Sequence, residues 1–373
     1  MKRLTMACAA LALTAFACGT DTTSMGDDDD DVAQPDAGVV ATGLDGCLAG
    51  GGALTEVSVV DNNVLVAHGE LTAMAFATTG QMAFASTDGA IKLWSFRGDA
   101  EGAIEPEVGY DTAFGEGATP IAALAYAPDA SWLAAARGPS IELRDPVTGD
   151  ELGGATLGEA DLVSIAVALD GDRVAVADGS FAGNLRVWSR NDDTATEPLA
   201  TELWGVTTVA FTPDGALITA GDWYGVPMVE LRSAADPSVV VWTWIEQQLS
   251  GEVTDVAVSP DGARVAAAGD GFLVVIDTAS ETGDATFYRE LIGPKGGPIA
   301  HLTSVAYTPG GAHLVTTDVD GAVAAWAADA DTDALPGSMA RDSIFAARTA
   351  PDYEQFVTAD TTGLIHIVGC DAP

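Results

Sequence analysis

Residues 253–277 read VTDVAVSPDGARVAAAGDGFLVVID. Apolar residues alternate from Val253 to Val258, a Ser-Pro-Asp-Gly turn follows, and they alternate again to Gly269. A Gly-Asp-Gly turn then leads into a third apolar run, Phe272 to Ile276. Period-two alternation marks strands with one buried face. Pro presets φ in the first turn and Gly accepts the positive φ. The stretch therefore predicts a three-stranded antiparallel meander, and the question is whether it recurs.

It does. Leu71 begins LTAMAFATTGQMAFASTDGAIKLWS, and Ile121 begins IAALAYAPDASWLAAARGPSIELRD. Leu162 begins LVSIAVALDGDRVAVADGSFAGNLRVWS, and Val206 begins VTTVAFTPDGALITAGDWYGVPMVELRS. Leu302 begins LTSVAYTPGGAHLVTTDVDGAVAAWA, and Ser343 begins SIFAARTAPDYEQFVTADTTGLIHIVG. With Val253 this makes seven units at near-constant spacing, and such self-similarity signals a repeat architecture. A fourth, more variable strand is expected between units, clearest at Val239–Trp242. One four-stranded sheet cannot bury both faces, whereas seven set radially can.

The phrases Val209–Gly215, Val256–Gly262 and Val305–Gly311 and the third strands IKLWS, LRVWS and AVAAWA resemble the WD40-repeat β-propeller family. Trp94, Trp188 and Trp326 stand where that family has its name tryptophan, and His68 where it often has a Gly-His pair. No Asp follows those tryptophans, so the family's internal hydrogen-bonded tetrad is not expected. The resemblance implies an all-β fold, a seven-bladed β-propeller of four-stranded antiparallel blades. An N-terminal strand, expected at Asn63–Ala67, pairs with the last blade and protects its edge. Leu54–Val60 is left without a place.

The N-terminus, MKRLTMACAALALTAFAC, has a positive start and an apolar run too short to span a bilayer. It resembles a bacterial lipoprotein signal, which implies lipidation of Cys18; cleavage after Ala15-Phe16-Ala17 as an ordinary secretory signal stays open. Residues 18–46 include five consecutive aspartates, Asp27 to Asp31, and read as a disordered acidic tether. The predicted organisation is a signal peptide over 1–17, the tether over 18–46 and the propeller over 47–373. With Cys8 removed and Cys18 lipidated, Cys47 and Cys370 remain, and an oxidising compartment favours their disulfide. Gly19 after Cys18 implies the outer membrane or cell surface; ordinary cleavage implies a periplasmic or secreted protein.

Asp and Glu number 55 against 15 Lys and Arg, a formal charge of −40. That excludes a general affinity for nucleic acid or anionic lipid. No catalytic motif is found, and no catalytic residue, cofactor site or metal ligand is expected. His68, His301, His313 and His366 lack ligand spacing. Asp329, Asp331 and Asp333 begin like a calcium loop, but Ala334 and Ala340 replace its Gly and Glu. Large aromatics fall on loops predicted to share one face: Phe181, Trp204, Trp223 and Tyr224, with Asp222 beside them. They form a candidate patch for a protein or peptide partner, which Asp222 would bias toward a cationic or neutral one, or they cap the ends of neighbouring blades; the protein is expected to be a monomer whose only membrane contact is its lipid. The rival expectation is an exported propeller enzyme, lactonase- or dehydrogenase-like, with a metal in its central channel. A third is a purely structural envelope component.

Overall fold

The computed structural model describes residues 44–60, 71–98, 104–114, 119–158, 160–180, 184–290, 301–329, 339–340, 344–350, 355–360 and 365–371. Asn63–Ala67, His68 and Phe181 lie outside these, as do Cys18, the acidic tether up to residue 43 and the Asp331–Asp333 segment.

Among the described residues the strands form seven four-stranded antiparallel sheets. Six follow chain order. Sheet I holds Leu71–Phe76, Gln81–Ser86, Ile91–Gly98 and Ile104–Phe114. Sheet II holds Ile121–Tyr126, Leu133–Arg137, Ser140–Arg144 and Glu151–Thr156. Sheet III holds Leu162–Val167, Arg173–Asp178, Leu185–Ser189 and Thr194–Ala195. Sheet IV holds Gly205–Phe211, Leu217–Trp223, Val226–Arg232 and Val240–Ile245. Sheet V holds Val253–Val258, Arg264–Gly269, Phe272–Asp277 and Ala285–Glu290. Sheet VI holds Leu302–Tyr307, His313–Asp318, Ala322–Ala327 and Met339–Ala340. Sheet VII holds Ile344–Ala350, Gln355–Asp360 and Ile365–Asp371, and its fourth strand is Ala53–Val60 from the other end of the chain.

That last pairing corrects the sequence reading. The edge of Ile365–Asp371 is occupied by Ala53–Val60, with Leu54 opposite Cys370 and Val59 opposite His366, not by Asn63–Ala67. Both segments alternate, so pattern alone could not choose. The choice belongs to the residues before the strand. Leu44–Ala49 is a helix whose Leu44 and Leu48 are buried with Leu54, Val315, Val323 and Val368. Among the described residues the folded body thus includes Leu44–Gly46, inside the segment read as tether. Next to it, Cys47 and Cys370 form the expected disulfide.

The apolar core lies between sheets. Ile91, Leu124 and Leu133 pack between sheets I and II, and Trp132, Ile165 and Trp188 between II and III. Ile218, Trp244 and Phe272 fill the space between IV and V. Middle strands such as Val265–Ala268 carry alanines, which let large residues of the neighbouring sheet approach.

In every sheet the pairing of first and second strands shifts register near the start of the first strand, after its first residue in six sheets and after its second, Val206, in sheet IV. This bulge leaves one residue without a ladder partner. Four sheets have Thr there, and three of these hydroxyls donate to the next sheet: Thr72 to the Ile121 carbonyl (2.6 Å), Thr254 to Leu302 (2.7 Å) and Thr207 to Val253. The first strands neighbour one another in order, and that of sheet VII meets that of sheet I. Those of sheets I to VI line an open channel of about 650 Å³. No described helix is long and apolar enough to cross a membrane.

Candidate functional site

The turn between second and third strands of sheet IV reads GDWYG. Gly221 is required: a Cβ there would lie 1.8 Å from the Gly205 carbonyl oxygen. Tyr224 and Gly225 both have positive φ, 53° and 79°, the pattern of a two-residue hairpin turn with the twist of its strands. Glycine accepts this freely and tyrosine does not. The Asp222 carboxylate holds the turn by accepting the Gly225 N–H at 2.7 Å. The result is a tyrosine ring raised into solvent, 60% exposed.

Trp204 reaches the same place from the connection into sheet IV. Its N–H donates to the Asp222 carbonyl (2.8 Å), and its ring, 40% exposed, stands 3.9 Å from that of Tyr224, centre to centre. The sequence reading also expected Trp223 to face solvent. Instead Trp223 is half-buried against the core between sheets III and IV and meets Tyr224 edge-on at 5.3 Å. Strand alternation explains it: Trp223 is still part of the second strand, paired with Val226.

The connection carrying Trp204 is held by a buried ion pair. Arg232 and Glu230 are 0% and 1% exposed and 2.5 Å apart. Arg232 also donates to the Ala200 carbonyl (2.8 Å), while Glu230 accepts from the Thr201 hydroxyl (3.0 Å) and the Glu202 N–H (3.3 Å). Each charge therefore satisfies backbone that would otherwise be stranded, and Trp204 follows three residues after Thr201. Neither Glu230 nor Arg232 was among the site residues expected from the sequence. The signal was present: VELRS puts two charges into an otherwise apolar third strand.

The face continues into sheets V and VI. The Gly251 N–H donates to the Gly225 carbonyl (2.9 Å), which sets Glu252 beside the tyrosine turn. Partial burial, then the Asp222 and Asp270 charges, push the Glu252 carboxyl above its usual range. Asp270 pairs with the exposed His301 ring, whose pKa is raised by that hydrogen bond and charge and, more weakly, by Asp320. Trp204, Tyr224, Glu252, Asp270, His301 and Asp320 thus form an arc over three sheets. Among the described residues no cluster of His, Cys, Asp and Glu is arranged to hold a metal. The other described histidine–carboxylate contact is elsewhere: His313 is buried against Asp45 of the N-terminal helix, 2.7 Å away.

Comparison with known families places the chain. The WD domain, G-beta repeat, matches residues 61–95, the region of the first three strands of sheet I. No curated protein matches the chain. The lipoprotein LpqB beta-propeller domain matches residues 146–361, more than half of the chain, from the last strand of sheet II to the second strand of sheet VII. The chain therefore belongs to the lipoprotein LpqB beta-propeller domain family.

Proposed function

We propose that this protein is an envelope-anchored binding or scaffold lipoprotein that recognises a protein partner through the loop face of sheets IV to VI. The observation that carries the reading is the Trp204–Tyr224 pair. Two large rings are held in solvent by a left-handed tyrosine, a fixed turn and a buried ion pair. A rigid exposed aromatic pair supplies contact area at little entropic cost, which is what a recognition surface uses.

The fold reading is a seven-bladed propeller closed by Ala53–Val60, supported by the pairing of that strand with Ile365–Asp371 and by the contact of the first strands of sheets VII and I. The family supports export and envelope association. Lipidation at Cys18, with residues 19–43 as a tether, follows from the N-terminal sequence. The channel supports recognition over turnover: Asp255, the one carboxylate on its described wall, accepts from the Ser304 hydroxyl (2.6 Å) and the Val305 N–H (3.1 Å) of the next sheet. It stitches sheets together.

The test is photo-crosslinking in intact envelopes, with benzoylphenylalanine in place of Tyr224 or, as control, of Val147 on an opposite-face turn. A discrete adduct from position 224 and none from position 147 is expected. Equal adducts from both, or none from 224, would overturn the reading. Intact mass of the mature protein reports the lipid on Cys18.

A further inference from the structure

The recognition face has a chemical polarity. Its aromatic end, Trp204 and Tyr224, runs directly into three carboxylates, Asp222, Glu252 and Asp270. Among the described residues, the only basic side chain the arc brings to them is His301, already paired with Asp270. The carboxylates are close enough to feel one another: partial burial, then the Asp222 and Asp270 charges, raise the proton affinity of Glu252. Like charges held together across a tight backbone contact cost stability. That contact is enforced, since Gly251 sits at φ 121° where a Cβ would strike the Asp270 carboxylate. A cation placed among them removes the repulsion, and an aromatic face alongside adds cation–π attraction.

We propose that this arc binds an arginine or lysine side chain of the partner, with the cation at the Tyr224 end of the aromatic pair and against Glu252 and Asp222. This rests on the recognition reading above and names its chemistry. Charge complementarity selects the occupant. Anionic and purely apolar partners leave the carboxylates either repelled or desolvated without compensation, and neutral sugars leave them uncompensated as well. Arginine fits better than lysine, because its planar guanidinium stacks on a ring while bonding a carboxylate.

The experiment titrates the full chain with Gly-Arg-Gly and with its neutral isostere Gly-citrulline-Gly, read by NMR at the Trp204 indole N–H and the Tyr224 ring. The arginine peptide is expected to shift these resonances at about fivefold lower concentration than the citrulline peptide, with the difference shrinking in high salt. Tyr224→Asn keeps a residue suited to the left-handed turn and removes the ring; Glu252→Gln removes one charge. Each is expected to weaken the arginine peptide about two- to fivefold. Asp214→Asn, in a turn on the opposite face, is expected to leave it unchanged. Identical titrations for the two peptides, shifts mapping to other sheets, or indifference to both arc variants would overturn the inference. If crosslinking from position 224 succeeds while the peptides behave identically, the face stands and its cationic preference falls. If crosslinking fails while the arginine peptide binds as described, the cation site stands and the protein partner falls.

Discussion

At the scale of single residues, one aspartate does the work of a missing one. The turns Thr212–Gly215 and Ser259–Gly262 are each closed by their own aspartate: Asp214 accepts the Thr212 hydroxyl at 2.5 Å, and Asp261 the Ser259 hydroxyl at 2.6 Å. In sheet VI the matching turn is Thr308-Pro309-Gly310-Gly311, with no aspartate. Asp45 supplies the carboxylate from the N-terminal helix, accepting from the Thr308 hydroxyl (2.6 Å) and the Gly310 N–H (2.9 Å). Gly310 makes room, since a Cβ there would lie 2.3 Å from that carboxylate. Burial pushes the Asp45 carboxyl up, but hydrogen bonds from His313, Thr308 and Gly310 outweigh it and hold the carboxyl below its usual value. A depressed carboxylate contributes stability above its unfolded pKa and loses it as pH falls through the folded one. Asp45→Asn should therefore cost about 1–3 kcal/mol at neutral pH, with the deficit starting to shrink only as pH falls below about 4 and closing as it passes through the lowered folded value, as read from urea unfolding across pH. His301 shifts the other way. Its NMR titration midpoint should lie above 6.5 and return to the ordinary range in Asp270→Asn. Its small contribution to stability is present at low pH and lost as pH rises through that midpoint.

At the scale of elements, the first strands explain how neighbouring sheets are joined. The bulge near the start of each first strand frees one position, and a threonine there reaches the next sheet's backbone. Thr254→Val keeps the shape and strands the Leu302 carbonyl, so a loss of about 1 kcal/mol is expected in chemical denaturation. Thr207→Val should behave alike at the junction of sheets IV and V. The third strand of sheet IV makes a different demand. Arg232→Met would leave Glu230 charged and buried with no cation, an expected cost of about 3–5 kcal/mol. Thr201 and Ala200 would lose their anchors, so Trp204 fluorescence should shift even where the variant remains folded. The repeat and its turns were legible in the sequence because period-two alternation and Gly, Pro and Asp turns act locally. The bulges were not, because they depend on which strand lies opposite.

At the scale of the whole molecule, sheet VII takes its fourth strand from the other end of the chain, whereas in the other six the fourth strand follows the third in sequence. Its fourth strand is Ala53–Val60, and the Cys47–Cys370 disulfide makes the missing covalent link across 323 residues of chain. A cross-link closing so long a loop removes much freedom from the unfolded chain, on the order of 5 kcal/mol by chain entropy. Reduction, or Cys47→Ser with Cys370→Ser, should lower the unfolding midpoint. Hydrogen exchange should rise first in Ala53–Val60 and Ile365–Asp371. Uniform loss of protection through all sheets at once would show that the clasp is no weaker than the rest.

The amino-acid sequence determined the strands, their turns, the grouping into four-stranded antiparallel sheets, the pairing of the two cysteines and the aromatic turn of sheet IV, because each follows from local periodicity, turn chemistry or simple counting. Only the tertiary structure decided which N-terminal strand closes sheet VII, that Leu44–Ala49 belongs to the folded body, that Trp223 turns inward, and that Glu252, Asp270 and His301 extend the aromatic pair into a charged arc. Those outcomes depend on contacts between residues far apart in the chain. A carboxylate such as Asp45 is one acid among 55 until folding sets it against Gly310, 265 residues away.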